Sequence, residues 1–378
     1  MAGLEIRAVH DRAEMARFIA LPERLYDGQA GFVAPLRLER GDALSRAKNP
    51  YFEHAKAEYW LAWRDGRPVG RISAQIDELT QVRHGAGLGQ FGCLDAEDDP
   101  AIFQALTGAA EAWLKDAGMT RCQGPFSLSI NQQCGLLVEG YDEPPMMMMD
   151  FAPPYAAQRL AEQGYAKVMD LLAYDYTAEQ PPPPGAEWLE RLTADGRVVL
   201  RRLDKGRYRQ ELDVILDIFN DAWSENWGFV PFTEAEMSHI AAELKPILRP
   251  EMVWIAEIEG EAIAMIVCLP NLAEAFEGLS GKLLPFGWLK LLWRLKVKGL
   301  KSGRVVMMGL RKAHHGSPIG SAIVLMLIEE LRESLIKIGY RRAEMSWILE
   351  DNWRMRAVIE GIGGRHSKTY RIYEKALT

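Results

Sequence analysis

Four side chains able to accept a proton lie late in the chain as two adjacent pairs: His314 with His315, and Glu350 with Asp351. A base that deprotonates an amine works best when poised near neutral pH. His315 and Glu350 are the favoured pair, and Asp351 could instead cap a helix starting at Asn352. Beside the histidines the chain reads His315-Gly316-Ser317-Pro318-Ile319-Gly320. Ser317 suits an N-cap and Pro318 the first helical position. A helix start draws anions through its open N–H groups and dipole, but proline contributes no N–H. A phosphate held here, over Gly316, Ser317, Gly320 and Ser321, would meet a depleted cradle. Cys93, Cys122, Cys134 and Cys268 lack the spacing of a zinc site or a disulfide framework. They read as buried, reduced thiols, and no metal is expected.

The elements that must position these groups are a strand (Val305–Leu310), a loop (Arg311–Pro318) and a helix (Ile319 to about Leu335). Some thirty residues on, a second strand ends at Asn352, ahead of a short helix and Gly363-Gly364. The same order can be traced earlier: strand, helix, a hairpin around Asp65-Gly66, strand, a helix from Pro100, strand. A length of 378 residues suits two domains better than one. The run Pro181-Pro182-Pro183-Pro184-Gly185 reads as a stiff spacer. The expected organisation is therefore a domain over 1–177, a linker over 178–195 and a second domain over 196–378 with an insert at 278–303.

This order resembles the donor-binding half of the GNAT acyltransferases. The resemblance implies an α/β fold (mixed sheet) of two tandem GNAT domains, using acyl-CoA or acyl-ACP as donor. In that family two splayed strands hold the thioester arm while a helix start holds phosphate. Carried onto this sequence, the donor would lie along Met308, Gly309, Leu310 and Arg311, then Gly316, Ser317, Gly320 and Ser321, with Asn352 after the second strand. Ile359 stands where many relatives have a tyrosine that protonates the leaving thiolate. The thiolate either leaves unprotonated or takes its proton from Tyr370 or Tyr373. In the first half the equivalent loop carries Asp95, Glu97, Asp98 and Asp99, which would repel phosphate. The second copy is therefore the expected catalytic one.

The insert contains Lys290, Arg294, Lys298 and Lys301 at helical spacing among Leu289, Leu292, Trp293 and Leu300, with no acid from 283 to 301. Such a stretch suits a membrane interface or an acidic carrier protein. Overall composition is that of a folded protein, 48% hydrophobic and 26% charged, and a net charge of −7 argues against a nucleic-acid partner. The first residues lack a basic, apolar leader and no run is long enough to span a bilayer, so the expected location is cytoplasmic, peripheral on the inner membrane face through 285–301. Longer motifs, Asn131–Tyr141, Trp223–Pro231, Ser346–Asn352 and Lys368–Lys375, resemble a family of bacterial two-domain GNAT-like proteins that includes the bacterial ceramide synthases. The resemblance implies N-acylation of a long-chain sphingoid amine by a fatty acyl thioester. Asn131, Cys134, Asn226 and Trp227 are the substrate-pocket candidates. Another tandem GNAT acyl or aminoacyl transferase, or a non-catalytic acyl-thioester- or lipid-binding protein, are the alternatives.

Overall fold

The computed structural model describes residues 3–180 and 196–377. The four prolines and all of the expected linker beyond Gln180 lie outside those residues. The chain forms two compact units: Met1–Leu171 with Ala273–Trp293 and Lys368–Thr378, and Leu172–Leu272 with Arg294–Ser367. The insert expected wholly in the second domain is thus divided, its first part belonging to the first unit. Lys368–Thr378, which holds most of the last strand, also belongs to the first unit.

In the first unit the elements are β1 (Glu5–Ala8), α1 (Arg12–Leu25), α2 (Arg37–Ala43), β2 (Ala55–Arg64), β3 (Arg67–Asp77) and α3 (Glu78–His84). They continue with β4 (Leu88–Ala96), α4 (Pro100–Asp116), β5 (Arg121–Gly124), β6 (Leu136–Glu139), α5 (Tyr155–Glu162) and the start of β7 (Ala166–Thr177). The expected hairpin is present, and Asp65 and Gly66 at its tip have φ of 52° and 74°, the left-handed pair a two-residue turn requires. Asp99 caps α4, accepting from Ala101 N, with Pro100 in the first turn. The acidic loop before α4 is neutralised within the unit: Asp95, Glu97, Asp98 and Asp99 pair with Arg71, Arg67, Arg159 and Arg64. The sheet runs β1-β2-β3-β4-β5 and is completed by the last strand, β13 (Arg365–Ala376), which pairs antiparallel with β5 and with β6.

The second unit holds β8 (Val198–Arg202), α6 (Tyr208–Trp223), α7 (Glu234–Leu244), β9 (Val253–Ile258) and β10 (Glu261–Pro270). After α8 (Leu272–Phe276) and the insert helix α9 (Gly287–Trp293), which lie almost wholly in the Ala273–Trp293 stretch of the first unit, come β11 (Ser302–Leu310), α10 (Pro318–Lys337), β12 (Arg342–Leu349) and α11 (Trp353–Gly361). Strand order is β8-β9-β10-β11-β12-β7. A Cβ on Gly309 would touch Ile218 and Ala222 of α6, whereas Leu310 packs on Gly320 of α10. Consecutive strand residues face opposite ways, so α6 and α10 cover opposite faces of the sheet.

Candidate active site

Where β11 and β12 run side by side, four residue pairs match, from Ser302↔Arg342 to Val305↔Met345, and there the parallel pairing stops. On the other edge of β11 the register with β10 slips at the same level: Cys268 faces Val305 and Val267 faces Met307, leaving Val306 as the extra residue of a β-bulge. A bulge bends its strand and adds twist. Past it, β11 continues to Leu310 and β12 to Leu349 without being paired to each other. The backbone groups along that gap face a cleft.

The cleft holds about 900 Å³ of atom-free space, part of it open to solvent. Val305, Val306, Met307 and Met308 form one wall and Met345–Leu349 the other. On α10 the apolar lining continues through Ile328, Leu331 and Leu335, with Ile359 and Ile362 opposite from the α11 segment. The α6 side contributes Trp223 and Asn226, and Trp223 lies 6.3 Å from Trp347, centroid to centroid. Polar lining is sparse: Tyr176, Asn226, Arg332, Ser346 and Asn352. That is the composition of a site for an extended apolar group with a few orienting contacts.

Beneath the point of splay lies a buried polar group. Arg304 and Glu344 are register partners on the two strands. Arg304 Nε donates to Ser346 Oγ (2.8 Å), and Ser346 Oγ donates to Glu344 Oε1 (2.7 Å). All three are buried. Burial of charge is tolerated only with such pairing and hydrogen bonding, so this trio ties the strands together immediately before they part.

At the start of α10, Ser317 Oγ accepts from Gly320 N (3.0 Å) and donates to His314 O (2.8 Å), confirming it as the N-cap. Pro318 carries no N–H and Gly320 has given its own to Ser317, so two of the first three helical positions offer nothing to an anion. Gly320 must be glycine, since a Cβ would stand 2.2 Å from His314 O. Ser321 Oγ turns back to Ser317 O (3.1 Å). His315 turns its ring onto Leu310 O, Nε2 at 2.7 Å, and is not among the residues lining the cleft. Arg311 is engaged by Ala262 O, Asp217 and Glu261. Lys312 donates its backbone N–H to Asp221 of α6 and its ammonium to Glu225, just past the end of that helix. The basic side chains of this loop thus serve α6 and the hairpin.

Of the expected residues, Met308, Asn226 and Asn352 line the cleft. Asn352, rather than Asp351, caps α11, accepting from Met355 N. Glu350 sits at the end of β12, where its carbonyl accepts from Arg356, and its neighbour Leu349 is the one that lines the cleft. Trp227 lies outside the lining, beside Asn226. Tyr370 and Tyr373 are buried in the first unit: β13 pairs Tyr370 with Leu137 and Tyr373 with Gly124, and the Tyr370 Cβ packs against Gly135. Neither lines the cleft. The phenol that does is Tyr176, which sequence reasoning missed because it lies at the far end of the β7 segment. Burial raises its pKa, a shift the Arg332 charge works against. Arg304 and Glu344 were also missed, although lone charges at matching places in two apolar strands were the available signal. Asn131 and Cys134 belong to the first unit, Cys134 buried in a bridge with Phe126.

In the first unit the corresponding parallel strands behave differently. Leu88↔Arg121 to Gln90↔Gln123 are paired, and beyond them Phe126 N donates to Phe91 O (2.7 Å) and Cys93 N to Ser127 Oγ (3.0 Å). A Cβ on Gly92 would fall 1.8 Å from Phe126 O, and one on Gly124 2.3 Å from Phe91 O. Glycine there lets the two backbones close together.

No family model matches the chain. Over 377 residues it is 49% identical to the bacterial ceramide synthase of Caulobacter vibrioides, covering 100% of this chain and 98% of that protein. It is 44% identical to protein YghO of Escherichia coli, covering 98% of this chain and 95% of the relative. Among solved structures, a tandem GNAT protein from the clavulanic acid biosynthesis pathway matches with a TM-score of 0.60 at 13% identity, over 100% of this chain and 99% of that one. A GCN5-related N-acetyltransferase from Sphaerobacter thermophilus matches with a TM-score of 0.51 at 16% identity, over 99% and 96%. The fold is the tandem GNAT fold read from the sequence.

Proposed function

The chain belongs to the family of the bacterial ceramide synthase of Caulobacter vibrioides, and from that premise we propose that this acyltransferase moves a fatty acyl group from an acyl thioester to the amine of a long-chain sphingoid base. The observation that carries the reading is the apolar cleft opened between β11 and β12. The thioester lies in the gap, with backbone N–H groups of β11 beyond Val306 aimed at its carbonyl oxygen, where negative charge develops on attack. The fatty chain runs along Ile328, Leu331 and Leu335 of α10. These span seven helical residues, or about 10 Å.

The amine nitrogen attacks the thioester carbon, the C–S bond breaks, and the ammonium proton passes to a base. Asn226 orients the amine. Glu350 is the base we favour over His315, whose ring is turned to Leu310 O. Tyr176 replaces Tyr370 as the phenol available to the thiolate. The closed strands of the first unit support placing the donor in the second. Because α10 begins with few free N–H groups, the donor binds mainly through its acyl chain and pantetheine arm. That suits an acyl carrier protein as well as coenzyme A.

The basic insert supports work at a lipid surface. Its helix is shorter than expected: α9 ends at Trp293 and a π-turn covers Arg294–Lys298. Leu284, Phe286, Trp288, Leu289, Leu292, Trp293 and Val297 are all exposed, Phe286 at 72%. Exposed aromatic and aliphatic groups among Lys290, Arg294, Lys296 and Lys298 fit an anionic membrane interface. No helix among the described residues is long and apolar enough to cross a membrane. Purified protein incubated with a palmitoyl thioester and a sphingoid amine should form the amide, read by mass spectrometry. Absence of amide with both coenzyme A and carrier-protein donors sinks the proposal.

A further inference from the structure

The charged groups of the first unit's cavity balance one another: Arg40 and Arg71 line it together with Asp95 and Asp150. The cleft of the second unit differs, because its walls are mainly apolar and a polar group reaching it is left over. Tyr176 of β7 lines that cleft and is 7% exposed. Its hydroxyl has no hydrogen-bond partner among the described residues. Burial raises the pKa of this phenol, so it keeps its proton at neutral pH and can both donate and accept.

Beside it stands Arg332, which also lines the cleft. Arg332 Nη1 donates to Ala178 O (3.2 Å), two residues past Tyr176. Its Nε and Nη2 donate to the two carboxylate oxygens of Glu329 (2.7 and 2.5 Å). The charge of Arg332 is therefore met by Glu329. A guanidinium has five N–H groups; three are spent on these bonds, and the others remain. A charged ligand gains little from so balanced a pair. An uncharged oxygen gains a donor and an acceptor from Tyr176 and further donors from Arg332.

In the function proposed above the acyl chain runs along Ile328, Leu331 and Leu335, and Arg332 stands among them on the same face of α10. A plain hydrocarbon seated there would cover the Tyr176 hydroxyl without bonding it, which is costly for a buried polar group. We propose that this site takes a fatty acyl donor whose chain carries a hydroxyl, held by Tyr176 beside Arg332. The inference rests on that placement of the chain. A water bound at the same groups would instead serve plain and hydroxylated chains alike. Proton delivery to the thiolate is a separable use of the phenol, since every donor shares the thiolate and only some carry the hydroxyl.

The experiment uses the full-length protein and pantetheine thioesters in pairs, below their aggregation concentrations: ω-hydroxyoctanoyl with octanoyl, ω-hydroxydodecanoyl with dodecanoyl, and ω-hydroxyhexadecanoyl with hexadecanoyl. Binding is titrated calorimetrically without amine. Each pair is then set in competition for one sphingoid amine, and the amides are read by mass spectrometry. At one chain length the hydroxylated donor should bind about tenfold tighter than its plain partner, the worth of one hydrogen bond in a dry site, and the amides should follow that ratio. Tyr176→Phe keeps the ring and should bring the ratio to parity or below. Were the phenol only a proton donor, its removal would slow both members of a pair alike and leave their ratio where it was. Lack of preference for the hydroxylated donor at all three lengths, or a preference that folded Tyr176→Phe retains, overturns the inference. If the hydroxylated thioester binds tighter through Tyr176 yet neither donor gives amide, the proposed function falls and the site stands. If amide forms from both at equal rates, the site falls and the function stands.

Discussion

Leu331 is the residue at which the proposed acyl channel can be shortened without touching the chemistry. It is 3% exposed, on the cleft-facing side of α10 between Ile328 and Leu335. A tryptophan there occupies the room of about two methylenes, and each buried methylene is worth about 0.8 kcal/mol. Selectivity between a long and a short chain should therefore shift by about 1.6 kcal/mol, or about 15-fold. The assay is direct competition: octanoyl and hexadecanoyl thioesters at equal concentration, one amine, and the ratio of amides by mass spectrometry. Leu331→Trp should move that ratio toward the octanoyl product by about that factor. Leu331→Ala should leave it level or move it the other way, at about 2 kcal/mol in stability, the low end for leucine truncation because the site already opens on a cleft. Thermal melts establish that both variants fold. If Leu331→Trp is folded and active with an unchanged product ratio, the chain does not run along α10 and the reasoning fails.

Changing Lys290, Arg294 and Lys298 together to Gln should weaken sedimentation with anionic vesicles about a hundredfold at low salt, from about 1 kcal/mol per charge; unchanged sedimentation ends the membrane proposal. Pro318→Ala returns one N–H to the start of α10 and should tighten palmitoyl-CoA about tenfold while leaving palmitoyl-pantetheine, which has no pyrophosphate, as it was. Equal effects on both donors would show that phosphate does not reach this helix. Ser346→Ala strips a hydrogen bond each from buried Arg304 and Glu344 and should cost about 1–3 kcal/mol, measured by urea unfolding. For Asp150 the folded carboxyl holds its proton up to about 6, whereas an aspartate's ordinary value is 3.8. The raised pKa makes its contribution favourable at low pH, lost as pH climbs from about 4 past 6. The stability difference between wild type and Asp150→Asn should follow that course, and a pH-independent difference would contradict it.

What the sequence made legible was whatever depends on local signals. Ser317-Pro318 announced a helix start and Asp65-Gly66 announced a hairpin, and each is found in place. Asn352 and Asn226 were read from motifs at the ends of elements, and both line the cleft. Parity was less legible. Asn131 and Cys134 were chosen from a stretch in which Gln133 and Gly135 are the residues facing the first unit's cavity, because a tight turn does not keep the two-residue alternation of a strand. Tyr370 failed for a non-local reason. Nothing in Lys368–Lys375 says which sheet the last strand joins, and pairing with Leu137 and Gly124 decided it.

The contrast between the two units turns on very few atoms. Both have a parallel strand pair joined by a long helix, and in both the pairing begins with three or four matched residues. In the first, Gly92 and Gly124 remove the Cβ atoms that would hold the backbones apart, and Phe126 N reaches Phe91 O. In the second, the positions after Val305 and Met345 carry Val306, Met307, Trp347 and Ile348, side chains that line the gap, while the bulge at Val306 turns β11 away from its partner. Side-chain bulk on the strands and one extra residue against β10 are sufficient to open the site. The Arg304–Ser346–Glu344 trio beneath it fixes where the opening begins. A fold duplicated in sequence order can thus keep the strands of one copy closed and leave those of the other open on an apolar cleft, with no change in the order of its elements.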